Sequence, residues 1–187
     1  HRMTGTALSA TPVMWHSPER RGSHATMPMG NAVALSAVAG LLLTFASAPL
    51  GWWPLTFASV VLGLAAHIGR SMFGAVVVGT VFGAVFFMTH LVWVDEFLGP
   101  VPWIALAGLE AIIFGLGAVP ITLVFRWSSQ RSRLNPMPFI VVPMVIAALW
   151  ASRELVMGSW PYSGFPWARI GMIQVTGPFA EVASWTG

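Results

Sequence analysis

Apolar runs of bilayer length, following one another with almost no charge inside them, leave this chain one kind of fold. They recur at about 31–48, 71–94, 102–127 and 139–157, with a rather short one at 54–68, and a hydrocarbon core about 30 Å thick takes roughly 20 helical residues to cross. In lipid every backbone N–H and C=O must find its partner inside the chain, so such runs fold as helices. With 56% of residues hydrophobic and 8% charged, there is too little polar surface to enclose a water-soluble core. The expectation is an all-α, polytopic transmembrane helix bundle of about five to six spans over residues 31–187. A disordered tail over 1–30 precedes it, rich in Ser, Thr, Pro, Gly and Met and without an apolar period.

The connections give the spans an orientation. All nine basic residues are Arg. Arg20 and Arg21 in the tail, Arg70 between the second and third runs, and Arg126, Arg131 and Arg133 after the fourth all fall on one side, which the positive-inside rule makes cytoplasmic. The opposite side receives Trp52-Trp53, Asp95-Glu96 and the stretch from Arg153 to Trp167. A multi-pass membrane protein with a cytoplasmic N-terminus is expected. A secretory signal ending at Ala46-Ser47-Ala48 is the lesser reading, because Pro49 follows directly and further spans come after it. In the third run, Gly79 and Gly83 make a Gly-xxx-Gly face on which another helix can approach closely. Pro120 is expected to kink the fourth span.

Ionisable side chains inside such runs are costly and mark candidate sites. Arg153 and Glu154 stand side by side at the end of the fifth run, followed by a Pro/Gly/aromatic loop in which Gly164, Phe165, Pro166 and Trp167 form a stiff shelf at the membrane surface. Neighbours on a helix point about 100° apart, so each of the two charges needs its own partner. Glu110 lies about two turns inside the fourth run and is expected to face the bundle interior, with Arg153 as one candidate partner. His67 and His90 lack a second ligand at metal spacing, and Asp95-Glu96 reads as a solvated loop pair. No metal site or cofactor is implied. A dense basic stripe of the kind that binds nucleic acid is absent, and with no Cys the chain can supply neither a disulfide nor a thiol nucleophile.

From Arg153 onward the order of features resembles the membrane portion of bacterial apolipoprotein N-acyltransferase. Arg153-Glu154 leads to Gly164-Phe165-Pro166-Trp167, then to Gly171, Gln174 and Gly177-Pro178. Upstream, Ala39-Gly40-Leu41 running to Phe45, Pro49 and Trp52-Trp53-Pro54 is similar to that family's first hairpin, and Gly83 through Phe86-Phe87 to His90 and Trp93 is similar to its third span. Gly99 to Trp103 looks like actinobacterial members, some of which work beside a polyprenol-phosphate mannosyltransferase, a possible partner on that ground alone. The resemblance implies acyl transfer from membrane phospholipid to the α-amino group of a diacylglyceryl-modified N-terminal Cys of a lipoprotein, through a thioester on a catalytic Cys helped by a Glu and a Lys. This chain has no Cys and no Lys. No catalytic residue carries over, therefore, and the nitrilase-like domain that bears the triad would follow residue 187. Arg153, Glu154 and Gly164 to Trp167 map instead to the outer surface of the membrane domain, as a lipid entrance or a seat for that domain. The chain reads as a fragment, inactive alone. The rival from another class is a small self-contained membrane transport or scaffold protein with Glu110 and Arg153 along its pathway.

Overall fold

The structure, a computed structural model, describes residues 27–131, 137–160 and 164–186. Arg20, Arg21, Arg133, Tyr162 and the tail up to residue 26 lie outside the described residues. Among the described residues eight α-helices follow one another: α1 (Met29–Ala46), α2 (Leu55–His67), α3 (Met72–His90), α4 (Val92–Leu98), α5 (Pro100–Arg131), α6 (Met137–Met157), α7 (Ile170–Ile173) and α8 (Ala180–Thr186). Single 3₁₀ turns at Pro166–Ala168 and Gln174–Thr176 flank α7. There is no strand among the described residues.

Four of these helices are long and apolar enough to cross a membrane: Met29–Ala46, Met72–His90, Pro100–Ser129 and Phe139–Met157, with mean hydropathy between 1.8 and 2.1. The second expected span is the short one. Its 13 residues rise about 20 Å at 1.5 Å each, against a core of about 30 Å. The third expected span also stops early. Leu91, at φ −99° and ψ 15°, leaves the helical range, so Trp93 and Asp95 ride on a separate helix, α4, which ends where Gly99 turns at φ 88°. Pro100 and Pro102 then occupy the first turn of α5, where a missing N–H breaks no helical bond.

Helix α3 forms the centre, packed between α1 and α5. The small residues foreseen on it do let α5 approach: a Cβ added at Gly79 would lie 2.8 Å from the Ala118 Cβ, and one at Gly83 would lie 2.9 Å from the Ala111 Cα. On the other side of α3, a Cβ at Gly40 of α1 would meet the Phe82 carbonyl oxygen at 2.6 Å. Between these contacts the core is aromatic. Phe82 stacks on Phe114 with centroids 4.7 Å apart, and Phe86 and Phe87 are buried beside Leu43, Ala46 and Leu91. Two hydrogen bonds add register without apolar area, from Ser59 Oγ to the Ala39 carbonyl at 2.7 Å and between the Thr44 and Thr89 hydroxyls at 2.7 Å.

The bundle has two distinct ends. At one, Arg70 is buried and donates through Nη2 to the carbonyls of Met27 at 2.6 Å and Pro28 at 3.3 Å, and through Nε to that of Ala66 at 3.2 Å. It ties the start of α1 to the α2–α3 turn instead of standing free in solvent. Because α5 runs antiparallel to α3, its Arg126 end lies toward this same end. At the other, the Trp103 indole donates to the Met88 carbonyl at 3.2 Å, and the chain after α6 folds over the tips of α1, α2 and α3. Gln174 Nε2 reaches the Thr56 hydroxyl at 3.2 Å, the Thr176 hydroxyl reaches the Gly51 carbonyl at 3.3 Å, and Ile173 enters the core. Helix α6 stands at the side, packed chiefly on α5, with Phe139 and Ile140 largely exposed.

Candidate functional site

Arg153 lies deeper than its place near the end of α6 suggests. Its guanidinium carbon sits 3.6 Å from the centroid of the Phe114 ring and 4.1 Å from that of Trp150, and Phe114 is about halfway along α5. In a helix the Cα–Cβ bond tilts toward the N-terminus, so a long side chain near the C-terminus of α6 reaches back into the bundle. Gly117 makes the slot, for a Cβ there would run into the Arg153 Cδ and Cγ. The residue is 6% exposed, and its Nε has no hydrogen-bond partner.

The same tilt separates Arg153 from Glu110. Helix α5 runs the other way, so Glu110 leans toward the opposite end of the bundle from Arg153. Glu110 is buried at 1% exposure, inside the bundle, and its Oε2 has no hydrogen-bond partner. The pair proposed from the sequence is thus not made through Glu110 Oε2 or Arg153 Nε.

Glu154 has found partners of a different kind. Its Oε1 accepts from the Trp150 indole Nε1 at 2.9 Å and from the backbone N–H of Ile170 at 3.1 Å. One contact is the local i to i+4 neighbour on α6; the other holds the outer segment 16 residues downstream. That segment is pinned a second time where Phe165 N–H donates to the Met157 carbonyl at 2.7 Å. Gly164, at φ 70°, crosses the backbone of Gly158 and Ser159 so closely that a Cβ would collide with it. Pro166 opens the following 3₁₀ turn, and Trp167 is 67% exposed.

Cavities flank this segment. A groove of about 720 Å³ runs between α2 and α6, lined by Val61, Leu64, Phe125, Ile146, Trp150 and Ile170, with Glu154 its one charged lining residue among those described. A second pocket, of about 550 Å³, lies at the segment-bearing end between Ser47, His90, Trp93, Phe165, Trp167 and Ile173. Trp150, Phe114, Gly117 and Ile170 are the site residues that sequence reasoning passed over. Only Trp150 left a local trace, standing four residues before Glu154.

This arrangement can be set beside known proteins. The family model for the apolipoprotein N-acyltransferase N-terminal domain matches residues 39–187. The chain belongs to this family. Relatives named apolipoprotein N-acyltransferase include one from Pseudomonas putida, 34% identical over 164 residues that make up 82% of this chain and 30% of the relative. One from Ralstonia nicotianae is 28% identical over 162 residues, 83% of this chain and 30% of the relative. One from Mycolicibacterium smegmatis is 33% identical over 93 residues, 47% of this chain and 16% of the relative. The chain therefore spans less than a third of the length of these apolipoprotein N-acyltransferases. The match runs through every element described above from the middle of α1 onward, Arg153, Glu154 and the Gly164–Trp167 segment included.

A polar plug of this kind makes a testable demand. An Arg at the centre of a helix costs about 2.5–3.5 kcal/mol on insertion scales, while a desolvated cation–π contact returns about 2 kcal/mol. The two nearly cancel. Arg153→Met, which fills the Gly117 slot without a charge, is expected to leave the thermal midpoint in detergent within about 3 °C of the parent. A fall of 10 °C or more would mean that the guanidinium has partners beyond the two rings.

Proposed function

We propose that this chain is the lipid-holding membrane domain of an apolipoprotein N-acyltransferase, and that it does not catalyse transfer by itself. The family match over residues 39–187, in a chain without Cys or Lys, carries this reading. In the reaction the resemblance implies, a thiolate attacks the ester of a phospholipid, forming a thioester and releasing a lysophospholipid. The free α-amine of the diacylglyceryl-Cys then attacks the thioester, forming an amide and returning the thiol. A thiolate must come from outside this sequence, so the work left to these residues is to bind lipid and to seat the domain that bears the nucleophile. The end carrying Gly164 to Trp167 faces the outside of the cytoplasmic membrane in this reading, and the tail faces the cytoplasm. The apolar groove and the aromatic pocket supply room for alkyl chains. A mannosyltransferase partner finds no support in the comparisons.

The test is transfer of a labelled acyl chain from phospholipid to a diacylglyceryl peptide in vesicles. This chain alone is expected to give none. An in-frame fusion to the part of the Pseudomonas putida relative that follows its matched segment is expected to restore transfer. A fusion that is folded, by a single gel-filtration peak and helical circular dichroism, yet shows no transfer would overturn the reading in favour of a self-contained membrane protein.

A further inference from the structure

From the geometry at the end of α6 we infer that Glu154 is a positioning residue that acts as a hydrogen-bond acceptor, its negative charge being dispensable. Both groups that hydrogen-bond to it among the described residues, the Trp150 indole N–H and the Ile170 backbone N–H, are donors only, and both meet the same oxygen, Oε1, at 2.9 and 3.1 Å. Neither is a cation. Arg153, the adjacent residue in sequence, is a cation within electrostatic reach of Glu154, but its guanidinium packs over the Phe114 and Trp150 rings in the slot at Gly117.

The two bonds sit at a junction. Ile170 is the first residue of α7, and Arg169 before it caps that helix with no side-chain bond; Glu154 satisfies an amide the short helix cannot. Trp150 is in edge contact with both Phe82 and Phe114, so the indole that donates to Glu154 is also part of the aromatic core. A single oxygen thus fixes the outer segment to the core rings. Ile170 lines the α2–α6 groove, and its neighbours Phe165, Trp167 and Ile173 line the outer pocket. Losing the acceptor would leave both donors unpaired in an apolar wall and would let the partition between the two cavities drift. An amide oxygen in the same place meets the same two donors.

That the position of this partition matters for acyl transfer rests on the function proposed above; the acceptor role does not. The first measurement is structural and uses the chain in lipid nanodiscs. The sequence has no Cys, so Phe97→Cys and Val175→Cys, both at exposed positions, give one clean spin-labelled pair for pulsed-resonance distances. Glu154→Gln is expected to keep the parent's single narrow distribution, and Glu154→Ala to broaden or split it. A distribution unchanged in E154A, or equally broadened in E154Q and E154A, overturns the inference. The second measurement repeats both substitutions in the fusion described above. There E154A is expected to lose about 100-fold in transfer, the effect of misplacing reacting groups by about 1 Å, and E154Q to recover most of it. A loosened segment with full transfer would refute the positioning role, whereas a parent fusion without transfer refutes the proposed function and leaves the distance result standing.

Discussion

Gly115→Val is expected to unfold the contact on which the bundle is built. A Cβ at Gly115 would collide with the Thr80 hydroxyl and lie 2.8 Å from the Val76 carbonyl oxygen and 3.0 Å from the Thr80 nitrogen. Two of these three atoms are backbone of α3, which cannot rotate aside, and Val adds two methyl groups beyond that Cβ. Overpacking a tight core costs typically 1–3 kcal/mol and sometimes more, and a main-chain collision belongs at the upper end. For a chain of this size a loss of about 3 kcal/mol lowers the thermal midpoint by about 10 °C. Differential scanning of the chain in detergent would show it. Gly108→Ala is the control, because a Cβ there has nothing within 4 Å. If Gly115→Val melts with the parent, α3 and α5 are not held at backbone distance.

The second large effect is local. Gly164→Val is expected to unseat residues 164–173 while the helices stay folded. Gly164 sits at φ 70°, where a β-branched residue is strained by about 1–2 kcal/mol, and its Cβ would collide with the Gly158–Ser159 backbone and lie 2.6 Å from the Met157 carbonyl oxygen. A further 1–3 kcal/mol for that overlap brings the total to about 3 kcal/mol, which raises the open population of the segment about 100-fold, each 1.4 kcal/mol being a factor of ten. Trypsin reads this directly. Arg169 packs against Gly158 with its Nε buried, so cleavage after Arg169 reports opening. Cleavage at the parent's rate would show that the crossing does not hold the segment.

The helices were legible in the sequence because an apolar run of bilayer length has one solution, and so was a close helix approach at Gly79 and Gly83, though not that α5 would be the partner. The limits of legibility were directional. Nothing local says that Arg153 leans inward rather than to the headgroups; that follows from helix polarity together with a gap at Gly117, 36 positions earlier. The same geometry parts it from Glu110, whose burial was readable from its neighbours but whose lack of a partner at Oε2 was not. Leu91 interrupts the third span with no Pro or Gly to mark the place. The Glu154–Ile170 bond joins residues separated by a loop, and such pairings leave no periodic trace.

The Gly117 slot also bears on the order in which the molecule is made. Helix α5 leaves the ribosome before α6, so the notch that receives Arg153 is already in the membrane when Arg153 arrives. A buried Arg adds a cost to placing an otherwise apolar helix in lipid, and a helix that finds a fitted cavity on its predecessor enters with that charge already housed. Membrane insertion of α6 is in this way written into a missing side chain on the helix before it.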